Sequence, residues 1–83
     1  MADQLAPDTL LGGVQRVWPS AVGPLVAAQA SPVSERGGVV TVACSASVWA
    51  QELDLMAPEI VQRLNGALRG SEVQRLRCVT SAR

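Results

Sequence analysis

Apolar positions in the first third of the chain recur at helical spacing. In "DTLLGGVQRVW" Leu10, Leu11, Val14, Val17 and Trp18 line one side, after an Asp8 or Thr9 able to cap the first turn. The pattern predicts a helix over about 8–17, weakened by Gly12 and Gly13. Pro19 bars a smooth continuation but suits the first turn of a new helix. "PSAVGPLVAAQ" then places Val22, Leu25, Val26 and Gln29 on successive turns, predicting a second helix over about 20–29, bent at Pro24.

The period then changes from helical to alternating. "SPVSERGGVVTVAC" replaces alanine and leucine by β-branched residues around Gly37 and Gly38, which suit a tight hairpin turn. Two antiparallel strands over about 32–36 and 39–44 follow, with Val40, Val42 and Cys44 on the face that meets the core. A long stripe comes next: Trp49, Leu53, Met56, Ile60, Leu64 and Leu68 recur at three and four. Ser45 or Ser47 is the expected N-cap, Pro58 an expected kink or break, Glu59 and Arg63 an i,i+4 pair, and Gly70 the expected left-handed C-cap. Finally "EVQRLRCVT" alternates as a strand, Leu76 and Cys78 on one face and Arg75 and Arg77 on the other. The predicted class is α+β in the order ααββαβ, a three-stranded sheet with helices packed on one face. The expectation is one domain over 1–83, with 1–7 a flexible N-terminus.

Composition narrows the function. At 48% apolar the chain is too hydrophobic for a disordered tail, yet no apolar run approaches the ~20 residues that cross a bilayer. A cytoplasmic protein without membrane contact is the expectation. With no histidine and no lysine, the sequence offers neither a Ser-His or Cys-His pair nor a Schiff-base amine. Cys44 and Cys78 form no CxxC pair and are read as free buried thiols, so no metal and no cofactor is expected. An enzyme acting on a small-molecule substrate is therefore disfavoured.

The net charge of zero conceals an asymmetry. Up to Glu59 there are Arg16 and Arg36 against Asp3, Asp8, Glu35, Glu52, Asp54 and Glu59; beyond it there are Arg63, Arg69, Arg75, Arg77 and Arg83 against Glu72 alone. These last five arginines are the candidate DNA contacts, through phosphate rather than bases, because a chain without Phe or Tyr has little to stack on. A solvated strand face is the plainer reading of the same charges. The two tryptophans read either as core plugs or as anchors for a protein partner, with Trp18 the candidate anchor. The GxxG loop of KH domains is absent, the nearest spacing being Gly66 to Gly70.

Trp18 with Val22-Gly23 and Ala27-Ala28, Pro32-Val33, Gly38 with "VVTV", "SASVWAQEL", "RLN" at 63–65 and "VQRLR" at 73–77 together resemble the DciA family. The resemblance spans about Leu10 to Val79, and Ser45 to Leu53 is its most specific part. It implies a KH-like domain of the kind also found at the N-terminus of the initiator DnaA. It further implies a bacterial replication protein that associates with the replicative DnaB-type helicase, assists its loading, binds single- or double-stranded DNA, and uses no nucleotide. Gly23, Ser47, Trp49, Leu53 and Leu64 are the expected structural positions. The alternative, from another class, is a protein-only interaction domain of the same fold without significant DNA binding.

Overall fold

The computed structural model describes residues 9–70 and 72–80, so the expected flexible segment 1–7 and Arg83 lie outside the described residues. The elements run α1 (Leu10–Val22), α2 (Pro24–Gln29), β1 (Ala30–Arg36), β2 (Val39–Cys44), α3 (Ser47–Leu68) and β3 (Arg75–Thr80). This is the expected ααββαβ order.

Helix α1 starts at a Thr9 cap, whose Oγ1 accepts from the Gly12 N–H at 3.0 Å. It does not stop at Pro19. Val14, Trp18 and Ala21 are all buried, and their spacing keeps them on one side only if the helix runs on through the proline. Burying a tryptophan outweighs the ~3 kcal/mol that an interior proline costs. The break comes instead at Gly23, whose φ of 93° ends α1. Its N–H donates to the Pro19 carbonyl at 2.8 Å and its own carbonyl accepts from Ala27, so one glycine closes α1 and opens α2, with Pro24 at the first position.

Strands β1 and β2 form an antiparallel hairpin with Gly37 and Gly38 at φ 58° and 88°. Two positive-φ residues make the turn whose twist matches that of the flanking strands. The Glu35 carboxylate accepts from the Gly38 N–H at 2.8 Å. The Gly38 carbonyl in turn accepts from the N–H groups of Gln74 and Arg75, tying the turn to the start of β3. Strand β3 pairs parallel with β2, giving the sheet order β1-β2-β3. A parallel neighbour needs a crossover, and α3 supplies it.

Val40, Val42 and Cys44 are fully buried, as their alternation requires. Leu76 from β3, Leu53, Ile60 and Leu64 from α3, and Val14 and Trp18 from α1 complete the core on that side, so the helices cover one face of the sheet. Helix α3 runs through Pro58 without the break that was one of the two outcomes expected there; Leu53, Ile60 and Leu64 stay aligned only in an unbroken helix.

Its ends also differ from expectation. Ala46 occupies the N-cap with no side-chain bond, Ser47 is already helical, and Ser45 is drawn away to donate its hydroxyl to Gln29 Oε1 at 2.6 Å. At the other end Arg69, not Gly70, takes the left-handed conformation, at φ 61°. The turn then brings Val73 back to Asn65, whose side-chain amide both donates to the Val73 carbonyl and accepts from its N–H, each at 3.0 Å.

Candidate nucleic-acid interface on the open face of the sheet

The face of the sheet turned away from the helices is built from the odd-numbered positions of β2 and β3. Val39, Thr41 and Ala43 pair with Arg75, Arg77 and Val79 along it. Strand β1 would be expected to join with a single parity, but its register shifts between Pro32 and Ser34. Before that bulge the even position Pro32 faces the core; beyond it Ser34 pairs with Thr41 and Arg36 with Val39, so Ser34 and Arg36 turn to the open face.

Three exposed arginines therefore share this face: Arg36, Arg75 and Arg77. No acidic residue alternates onto it among the described residues. Glu35 falls on the opposite parity, half-buried and bonded to the turn, while Glu52 and Glu59 ride on α3 across the sheet. None of the three guanidinium groups has an ion pair or side-chain hydrogen bond among the described residues.

Arg83 lies outside the described residues; of the other four arginines expected to act together, Arg75 and Arg77 share this face, both exposed as their alternation requires. Arg63 is on the helical side and already engaged: it donates to the Ala21 carbonyl at 3.1 Å and to Glu59 at 2.7 Å, strapping α3 to the end of α1. Arg69 sits at the turn that ends α3. The residue that sequence reasoning missed is Arg36. Its signal was present, because an arginine facing a core this thin is untenable and demands a parity change in β1.

A shallow depression of about 430 Å³ lies on the open face, lined by Ser34, Glu35, Arg36, Val39, Thr41 and Arg77. Arg75 borders a different concavity, the more apolar groove of about 520 Å³ between α3 and β3, which Asp54 also lines.

The tryptophans separate cleanly. Trp18, the candidate partner anchor, is only 2% exposed, and its indole N–H donates to the Ala30 carbonyl at 2.9 Å. A side chain so enclosed offers a partner no surface, and it acts as a core plug. Trp49 is half-buried against the same core, Leu53 and Leu64 are buried within it, and Gly23 holds the turn between helices.

Cys44 and Cys78 are free and lie on the core side of adjacent strands. Burial, then the neighbouring Cys44, then Asp54 push the Cys78 thiol up to about 11, and burial raises Cys44 as well. Both stay protonated near neutral pH, which suits packing rather than nucleophilic chemistry. Among the described residues no group of three or more His, Cys, Asp or Glu is placed to hold a metal, and no helix is long and apolar enough to cross a membrane.

Fold and face together define an α+β module whose helices cover one side of a mixed sheet and leave a basic, open side. The family model described as Dna[CI] antecedent, DciA, matches residues 3–78, and the chain belongs to that family. It is 39% identical over 69 residues to a UPF0232 protein of Streptomyces avermitilis, covering 81% of this chain and 38% of the relative. A UPF0232 protein of Streptomyces coelicolor is 38% identical over 69 residues, covering 81% and 36%. One from Rhodococcus jostii is 31% identical over 72 residues, covering 87% and 38%. The chain thus spans well under half the length of these curated relatives.

Proposed function

We propose that this domain is a non-enzymatic accessory module of bacterial DNA replication, acting in the cytoplasm, that contacts a DnaB-type helicase and DNA and assists helicase loading. Membership of the DciA family over residues 3–78 carries the reading. The segregation of charge supports its DNA half: a chain of zero net charge presents three arginines on one open face, none of them in an ion pair among the described residues, against Glu35 at the rim of the depression there. Phosphate contacts from such a face are few, so affinity is modest and falls steeply with salt. Arg75 and Arg77 are the primary contacts.

The experiment is fluorescence anisotropy of labelled single- and double-stranded DNA at low and moderate salt, beside a pull-down with the helicase of the same organism. Arg75→Ala with Arg77→Ala should weaken DNA binding while leaving the thermal midpoint nearly unchanged, since both side chains are exposed. No DNA binding at low salt removes the DNA half. No helicase capture by a folded domain removes the other.

A second reading, a protein-only module, draws on the outward side of α3, where Val48 is 56% and Leu55 81% exposed. It predicts helicase capture without DNA binding.

A further inference from the structure

Sequence separates Ser34, Arg36, Thr41 and Arg77, and three strands bring them around one depression. Ser34, Thr41 and Arg77 form a single row across the sheet, each paired with the next, and Arg36 stands one position further along β1 on the same side. Neighbouring strands are ~4.8 Å apart, so the outer members of the row are separated by roughly 10 Å, with Thr41 midway. Two guanidinium forks flank a hydroxyl floor. None of these four side chains has a hydrogen-bond partner among the described residues, so every donor is available to a ligand.

We infer that this depression is a phosphodiester subsite: Arg36 and Arg77 grip the two free oxygens of one backbone phosphate, and the Thr41 and Ser34 hydroxyls donate to it from below. Forked guanidinium donors and hydroxyls are the groups that suit tetrahedral oxyanions. Charge selects the diester. Glu35 also lines the depression, so two positive charges and one negative leave a net single positive charge, matching the single negative charge of a backbone phosphate rather than a free phosphate dianion. The β-bulge after Pro32 is the device that creates the subsite, since an unbulged β1 would turn Ser34 and Arg36 into the core. The inference deepens the DNA-contact reading and rests on it only for the source of the phosphate.

The test uses the full chain in two measurements. Amide chemical shifts are followed on adding an abasic deoxyribose-phosphate oligomer, which has backbone and no bases, or inorganic phosphate at matched ionic strength. Anisotropy of a labelled thymidine oligonucleotide is followed against salt for the parent, Arg36→Ala, Arg77→Ala, Thr41→Val, and Arg16→Ala as a control of equal charge change on α1. Shifts should centre on Thr41 and Arg77, larger with the abasic oligomer than with phosphate. Arg36→Ala and Arg77→Ala should each lower affinity and flatten the log–log salt slope by roughly 0.7. Thr41→Val should lower affinity several-fold with the slope unchanged, because a hydroxyl displaces no counterion.

Arg36→Ala behaving like Arg16→Ala overturns the subsite. Equal or larger shifts with inorganic phosphate overturn the diester assignment. DNA binding that survives Arg36→Ala and Thr41→Val but is lost with Arg75→Ala sinks the subsite and leaves the DNA-contact reading standing. Phosphate-centred shifts without oligonucleotide binding do the reverse, and absence of both removes the two together.

Discussion

Trp18 and Trp49 are the chain's two aromatic residues, and the structure assigns them unequal shares of its stability. Trp18 is 98% enclosed, its exposure being 2%. A tryptophan buries up to about 250 Å², which at about 25 cal/mol per Å² gives a transfer contribution near 6 kcal/mol as an upper bound. Measured tryptophan-to-alanine losses of about 3–5 kcal/mol, together with the orphaned Ala30 carbonyl, put Trp18→Ala at the top of that range. A domain of this length has on the order of 4–12 kcal/mol in total. The Trp18→Ala protein should therefore be largely unfolded or close to it.

Trp18→Phe is the sharper variant, because it keeps most of the ring and removes the indole N–H to Ala30 bond. It should cost about 1–3 kcal/mol. Trp49→Ala, half-buried, should cost about 2 kcal/mol, and the protein should remain folded. Urea melts followed by far-UV circular dichroism measure all three; with a slope near 1 kcal/mol per M, Trp18→Phe moves the midpoint by roughly 1–3 M. A Trp49→Ala loss larger than that of Trp18→Ala, or a Trp18→Phe loss below about 0.5 kcal/mol, would refute the assignment of Trp18 as the central plug.

Other perturbations address the joints of the fold. Gly38→Ala places a Cβ 2.8 Å from the Glu72 carbonyl oxygen at a φ of +88°, so a loss of about 1–3 kcal/mol in the same melts is expected, whereas Gly66→Ala, in open space on α3, should be neutral or stabilising. Asn65→Ala removes both bonds to Val73 and should cost about 2 kcal/mol, with faster amide exchange at Val73. Stability should also depend on alkaline pH through Cys78. Its folded value of about 11 exceeds the ordinary thiol value of 9.0, so between these values the unfolded chain has lost the proton that the folded chain keeps. The contribution is present in full below pH 9 and is lost as pH rises toward 11. Cys78→Ala should flatten that part of the stability profile, and an unchanged profile would count against the burial of the thiol.

Element order and the inner faces of β2, β3 and α3 were legible in the sequence because each rests on local periodicity. Val40, Val42 and Cys44 alternate, and Leu53, Ile60 and Leu64 recur at helical spacing, so one buried side follows from the covalent order of the chain. What went wrong was punctuation. Pro19 and Pro58 were read by their local preferences, but the buried residues on either side hold each helix continuous, and Gly23 and Arg69 take the turns assigned to Pro19 and Gly70. Packing energies of several kcal/mol decide against preferences of ~3 kcal/mol or less.

The functional face divides in the same way. The outward direction of Arg75 and Arg77 was set by alternation within one strand, so the sequence by itself determined it. Only the tertiary structure could engage Arg63 with the Ala21 carbonyl, enclose Trp18, and bring Arg36 beside Thr41 and Arg77. That last juxtaposition depends on a one-residue slip between β1 and β2. Register is a property of two paired strands and the side chains each must bury, and no single stretch of sequence contains it.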